Sequence, residues 1–138
     1  MGRMGHTPPA VLGINGFKKS GMTTLIEHLL GVLAGRGLRL AVVKSHNEPV
    51  TLDRPGSDTD RLYRAGADVL GYDGRCVFIK EHPPAGFNLE AALRRLDRPY
   101  DLILVEGFKQ SAAEKIWLLR SGDTGPPEDV PGICAVLE

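Results

Sequence analysis

Alternation of apolar and polar residues divides the chain into short strands and helices. Residues 10–15 (AVLGIN) form an apolar run, and residues 23–34 follow with Leu25, Ile26, Leu29, Leu30 and Leu33 at helical spacing. Gly35 and Gly37 end that helix, and 38–43 (LRLAVV) reads as a second buried strand. Strand, loop, helix and strand in this order predict parallel strands joined by a right-handed crossover.

Residues 46–57 are rich in Pro, Asn, Asp and Gly, and the stretch is long enough to predict a functional loop near a ligand. The pattern predicts a short helix over 58–65, strands over 67–72 and 76–80, and a helix over 88–96 capped by Asn88, with Pro83 and Pro84 breaking the chain before it. Residues 102–105 (LILV) are continuously apolar, as a central parallel strand covered on both faces must be, and Glu106 and Gly107 end the run. Two further strands are predicted over 116–119 and 133–137, with SGDTGPPEDVPG as loop between them. The expected fold class is α/β, a mainly parallel sheet flanked by helices in three layers, forming one domain over 1–138.

Composition then narrows the function. With 42% apolar and 25% charged residues the chain has the make-up of a globular protein. Its 17 basic residues balance 17 acidic ones, which leaves no overall basic field to hold a nucleic acid. The N-terminal MGRMGHTPPAVLG has no long apolar segment, His6 stands where a myristoylation signal requires Ser or Thr, and no apolar stretch approaches the roughly 20 residues that span a bilayer. A cytoplasmic protein without a membrane partner is expected. Cys76 and Cys134 are too far apart to suggest a zinc site or a disulfide framework, and both are expected to be buried small hydrophobes.

The candidate chemistry begins at Gly16-Phe17-Lys18-Lys19-Ser20-Gly21-Met22-Thr23, which matches the phosphate-loop pattern G-x-x-x-x-G-K-[ST] everywhere except the lysine. It follows a predicted strand and opens a predicted helix, so backbone N–H groups from Gly16 to Thr24 can converge on a phosphate with the helix dipole behind them, and Thr23 can offer its hydroxyl to Mg²⁺. The competing reading is a glycine turn that merely joins strand to helix. Met22 carries neither charge nor donor; by analogy with deleting one preorganised donor, its presence costs roughly 3–4 kcal/mol, or about 10²–10³ in hydrolysis rate. Lys18 and Lys19 are the nearest substitutes, unless they are simply solvated charges on an exposed loop.

Carboxylates follow at the ends of elements. Glu106, at the C-terminal end of the buried strand, is the candidate second Mg²⁺ contact, whereas Asp101 at the far end reads as a capping or turn residue. Asp53 and Asp58 flank Pro55-Gly56, where Asp53 can reach the metal and Asp58 can orient an attacking water as the catalytic group; either can also be an ordinary turn former. His46 is a lone loop histidine, more often neither ligand nor base.

With these pieces in order the chain resembles the MobB family, the molybdopterin-guanine dinucleotide biosynthesis adaptor proteins. The likeness is carried by VLGINGFKKSGMTTLIEHLL, by LRLAVVKSH followed by TLDRPGSDTDRLYRAGAD, and by YDLILVEGFKQSAAEKIWLLR. It implies a P-loop fold that binds GTP with Mg²⁺, forms a homodimer, hydrolyses GTP weakly, and assists the guanylyltransferase partner that attaches GMP to molybdopterin. Gly16 to Thr24 would hold phosphates, and Asp53, Asp58 and Glu106 would surround the metal or γ-phosphate. Guanine is inherited from the resemblance, since no Asn-Lys-x-Asp element is present. Two departures weaken the expectation of hydrolysis: Met22 replaces the loop lysine, and the histidine- and aspartate-rich stretch after Lys44 reads SHNEPVTLD. The alternatives are an interaction module that has lost nucleotide turnover, and a small phosphotransferase, for which no arginine-rich lid is present.

Overall fold

A strand apolar on both of its faces must lie inside a sheet with cover on each side. In the computed structural model, which describes residues 7–138, β5 (Leu102–Glu106) occupies that place. Residues 1–6, and with them the reading of His6, lie outside the described residues. The elements run β1 (Ala10–Gly16), α1 (Met22–Gly35), β2 (Leu40–Lys44), α2 (Asp58–Arg64), β3 (Val69–Tyr72), β4 (Val77–Lys80), α3 (Leu89–Arg94), β5, β6 (Lys115–Leu118) and β7 (Ile133–Leu137). The described residues form two compact units, 7–45 with 88–138, and 46–87.

The first unit holds a five-stranded parallel sheet in the order β2-β5-β1-β6-β7. β1 and β2, consecutive in sequence, are both parallel to β5, which lies between them. Alternate residues of β5 feed opposite faces. Leu104 joins Ile14, Ile26 and Leu118 on the α1 side, while Ile103 and Val105 join Leu89 of α3 on the other. Helices thus cover both faces, and the α/β three-layer expectation holds.

Helix α3 starts at Asn88, whose Oδ1 accepts the Ala91 N–H at 2.9 Å, as its capping role requires. Asp101 pairs with the residue before β2: its Oδ2 accepts the Arg39 N–H at 2.7 Å, and its own N–H donates to the Arg39 carbonyl at 2.8 Å. That pairing ties the entrances of β2 and β5 together. The second unit pairs β3 with β4 as an antiparallel hairpin and carries α2, whose N-cap Ser57 accepts the Asp60 N–H at 3.3 Å.

The cysteine expectation is corrected: both are exposed. Cys76 sits in the turn of the β3–β4 hairpin, where Asp73 Oδ1 accepts its N–H, and Cys134 lies on the edge strand β7, four of whose five residues are exposed. Among the described residues no helix is long and apolar enough to cross a membrane.

Candidate functional site

The chain leaves β1 at Gly16 and curls back against β6. A Cβ at Gly16 would stand 2.5 Å from Ser20 Oγ and 2.8 Å from the Leu118 carbonyl oxygen, so only glycine allows this close path. The Ser20 N–H donates to the Phe17 carbonyl at 3.2 Å, closing a turn with Lys18 and Lys19 at its centre. Lys19 has φ 64° and Gly21 φ 91°. The left-handed conformation is free for glycine but costs a lysine about 1–3 kcal/mol.

Helix α1 then begins at Met22 with no side-chain cap and no acidic residue in its first turn. Its first backward bond runs from the Leu25 N–H to the Gly21 carbonyl at 3.1 Å, which leaves the N–H groups of Met22, Thr23 and Thr24 ahead of the helical ladder. Ser20 Oγ is buried without a partner, as is Asn15 Nδ2, whose own Oδ1 accepts the Gly107 N–H at 3.2 Å. Buried polar groups are normally paired. Open helical donors, a glycine cradle and an orphan hydroxyl together suit an oxyanion-rich ligand such as a phosphate chain.

Met22 does not turn into the loop as its lysine counterpart would; its side chain packs against the Ile14, Ile26, Leu104 and Leu118 cluster. Lys18, Lys19, Thr23 and Thr24 are exposed. Phe17 meets the buried Trp117 edge-on at 5.2 Å, and the Arg120 guanidinium stands 5.0 Å over the Phe17 ring. Arg120 Nη1 also donates to the Lys18 carbonyl at 3.2 Å, while its Nη2 and backbone N–H reach the Asp123 carboxylate at 3.0 and 2.7 Å. This pairing raises the Arg120 pKa and holds the Asp123 carboxyl below its ordinary value.

Glu106, 8% exposed, ends β5 beside β1, so the phosphate loop and this carboxylate share one end of the sheet. Lys44 Nζ lies 2.6 Å from Glu106 Oε1, in register across the β2–β5 pair, and the Ser45 N–H donates to the Glu106 carbonyl at 2.8 Å. Among the described residues no group of three or more His, Cys, Asp or Glu is placed to hold a metal ion. Magnesium that arrives on a nucleotide takes only one or two protein ligands besides phosphate oxygens, and a threonine hydroxyl with one carboxylate, as at Thr23 and Glu106, fits that requirement.

Asp53 and Asp58 belong to the second unit. Asp53 accepts from Thr59 Oγ1 at 2.9 Å, Ser57 Oγ at 3.1 Å and Lys80 Nζ at 3.3 Å; the Thr59 bond leads in holding its pKa below the ordinary carboxylate value, with Ser57 and Lys80 outweighing the effect of desolvation. Asp58 is exposed in the first turn of α2. The hub here is a residue the sequence did not single out: Asp60, 6% exposed, accepts the Gly56 N–H at 2.9 Å and pairs with Lys80 at 3.2 Å and Arg64 at 3.0 Å. Lys44 was also missed, although a charge that ends a buried parallel strand is the same signal that identified Glu106. No local pattern ties Arg120 to the glycine loop, because Phe17 and Lys18 are remote from it in sequence; its bonds to Asp123 are local.

A family model, molybdopterin guanine dinucleotide synthesis protein B (MobB), matches residues 11–138. The chain is 37% identical over 123 residues to a molybdopterin-guanine dinucleotide biosynthesis adapter protein of Haemophilus influenzae, covering 87% of this chain and 68% of that protein. The Escherichia coli adapter protein is 33% identical over 130 residues, covering 91% and 74%. Among solved structures, a molybdopterin-guanine biosynthesis protein B superposes with TM-score 0.64 at 32% identity over 78% of this chain and 67% of that one. Bacillus subtilis MobB gives 0.70 at 22% identity over 92% and 78%, a likeness of fold.

Proposed function

The chain belongs to the MobB family, and on that premise we propose that it is a GTP-binding adapter in molybdopterin guanine dinucleotide biosynthesis, with GTP turnover weak or lost. The observation that carries this reading is the uncapped start of α1 behind the glycine loop, with Ser20 Oγ buried and unpaired beside it. The N–H groups of Lys19, Gly21, Met22, Thr23 and Thr24 bind the phosphates, the Ser20 N–H being taken by the Phe17 carbonyl, and the helix dipole adds favourable field. Thr23 and Glu106 would hold Mg²⁺, which would supply charge neutralisation at the phosphates. Lys44 orients the Glu106 carboxylate. Met22 adds no donor, and turnover falls by about 10²–10³ for want of one.

The protein acts as a homodimer beside the guanylyltransferase that attaches GMP to molybdopterin. Support for self-association comes from the hairpin: Leu70 faces Ile79 and Tyr72 faces Val77 across β3 and β4, which puts four apolar side chains on one face, each 58–70% exposed.

Calorimetric titration of the protein and of Met22→Lys with GTP and ATP in Mg²⁺, with phosphate release followed in parallel, tests the proposal. GTP is expected to bind the native chain in preference to ATP, and the variant to gain hydrolysis. Should the native chain bind neither nucleotide while the variant binds, the interaction-module reading replaces this one; the packing of Met22 into the core is the observation that favours it.

A further inference from the structure

We propose that Arg120 is a positioning residue for the phosphate loop, acting as an external clasp that fixes the peptide between Lys18 and Lys19. The inference rests on the reading of Gly16–Thr24 as a phosphate site and names a residue outside that loop on which the site depends.

The turn closed by the Ser20 N–H and the Phe17 carbonyl places Lys18 and Lys19 at its two central positions. A positive φ at the second of these is the mark of a type II turn, normally given to glycine or asparagine, whereas a lysine there favours the type I form. The two forms differ by a flip of the central peptide. That peptide carries the Lys18 carbonyl, which accepts from Arg120 Nη1 at 3.2 Å. A trans peptide points its carbonyl and N–H in opposite directions, so a carbonyl held outward by Arg120 turns the Lys19 N–H the other way, toward the ligand. Flipped, the same peptide would present an oxygen to phosphate oxygens.

Arg120 is itself braced. Asp123 takes its Nε at 3.2 Å, its Nη2 at 3.0 Å and its backbone N–H at 2.7 Å, and Phe17, the residue before Lys18, lies under the guanidinium and against Trp117. One cation therefore grips the loop through a ring and a carbonyl, while its charge is neutralised by its own carboxylate and not by the ligand.

The test compares the full chain with Arg120→Ala, Lys19→Gly and the double variant. In the ligand-free state, the dipolar coupling between the HN and Hα protons of Lys19, read as their intraresidue NOE, is strong at positive φ and weak at negative φ and so reports the sign of its φ. Arg120→Ala is expected to move that coupling to the value of a negative φ, and to weaken GTP binding about tenfold, the worth of one good hydrogen bond. Lys19→Gly, added to Arg120→Ala, is expected to restore affinity to within about twofold of the Lys19→Gly single variant, because glycine adopts positive φ unaided. A cation that simply attracted phosphate would not be rescued by removing a second positive charge. An unchanged coupling in folded Arg120→Ala overturns the clasp whatever the nucleotide does, and a double variant that stays as weak as Arg120→Ala overturns the positioning role. A native chain that binds no nucleotide although its coupling responds to Arg120→Ala leaves the clasp standing and removes the phosphate-site reading.

Discussion

Lys115 is the clearest case of one side chain setting two loops. It is 1% exposed inside β6, and its Nζ donates to the carbonyls of Ser111 at 2.7 Å and Pro131 at 2.5 Å, pinning the segments before β6 and before β7. Room for it comes from Gly13 on β1, where a Cβ would stand 2.7 Å from Lys115 Cβ. Replacement by Met removes the donor from both carbonyls, and a stability loss of about 1–3 kcal/mol is expected in urea unfolding at neutral pH. Burial lowers the Lys115 pKa from its ordinary 10.5. Below the lowered value both folded and unfolded chains carry the charge, and the penalty for burying it is complete. Between that value and 10.5 the unfolded chain binds more protons, so stability rises with pH. The cost of Lys115→Met should therefore grow as the pH approaches 10.5, and a cost that stays flat or shrinks would contradict the assignment. None of this is legible in the sequence, where a lysine next to an apolar run reads as the solvated end of a strand, so the apolar pattern begins at 116 whereas β6 begins at Lys115. The glycine loop between β1 and α1 is legible because its pattern is local: glycines at fixed offsets between a strand and a helix. Arg120 and Asp60 are not, because the contacts that give them their place, Arg120 with Phe17 and Lys18 and Asp60 with Lys80, join residues remote in sequence.

At the level of elements, those with a strong period were readable and those defined by pairing were less so. The five apolar positions of α1 repeat at helical spacing, and the helix runs Met22–Gly35 around them. Strand β2 starts two residues later than its apolar pattern, at Leu40, because Arg39 is taken up by Asp101. The sheet order, with β5 between β1 and β2, is a tertiary fact that the strand run itself does not encode. In the second unit, Lys80 on β4 joins α2 and the segment before it through Asp53 and Asp60. Burial draws the Lys80 amine downward, but the two carboxylates outweigh it and raise its pKa. Each partner has its own pKa held below 3.8: Asp53 by Thr59 first, Asp60 by the Gly56 N–H first. Their stabilisation is present above 3.8 and is lost as the pH falls below it through the folded values. Lys80→Met removes the shared cation and leaves two carboxylates close together. Hydrogen exchange is expected to speed up across α2, β3 and β4, with little change in β1 and β5, and acid opening of this unit should begin at a higher pH than in the native chain. Uniform acceleration over both units would show that Lys80 acts on the whole fold and not on its own element cluster.

For the molecule as a whole, the question is why a chain of this size leaves an apolar sheet face in water. In β3 and β4 the residues Leu70, Tyr72, Val77 and Ile79 lie on one side, paired directly across the strands and all exposed. Phe78 turns to the other side, where Gly71 leaves space for its ring. Burying four such side chains against a second copy is worth several kcal/mol, at about 25 cal/mol per Å² of apolar area removed from water, before the cost of association. The formal charge is zero, so no net repulsion opposes the approach of like chains. A two-fold contact of this kind is self-complementary, and a single substitution enters it twice. Leu70→Glu with Tyr72→Glu puts four carboxylates into the shared face and should yield a monomer by sedimentation velocity, with far-ultraviolet circular dichroism unchanged. Because the phosphate loop belongs to the other unit, GTP affinity of that monomer is expected to stay within about threefold of the native value, a difference of only about 0.7 kcal/mol. A native chain that sediments as a monomer, or a doubly substituted one that remains a dimer, would remove this face as the site of self-association. Loss of nucleotide binding together with dimer formation would instead mean that the two copies build the nucleotide site jointly.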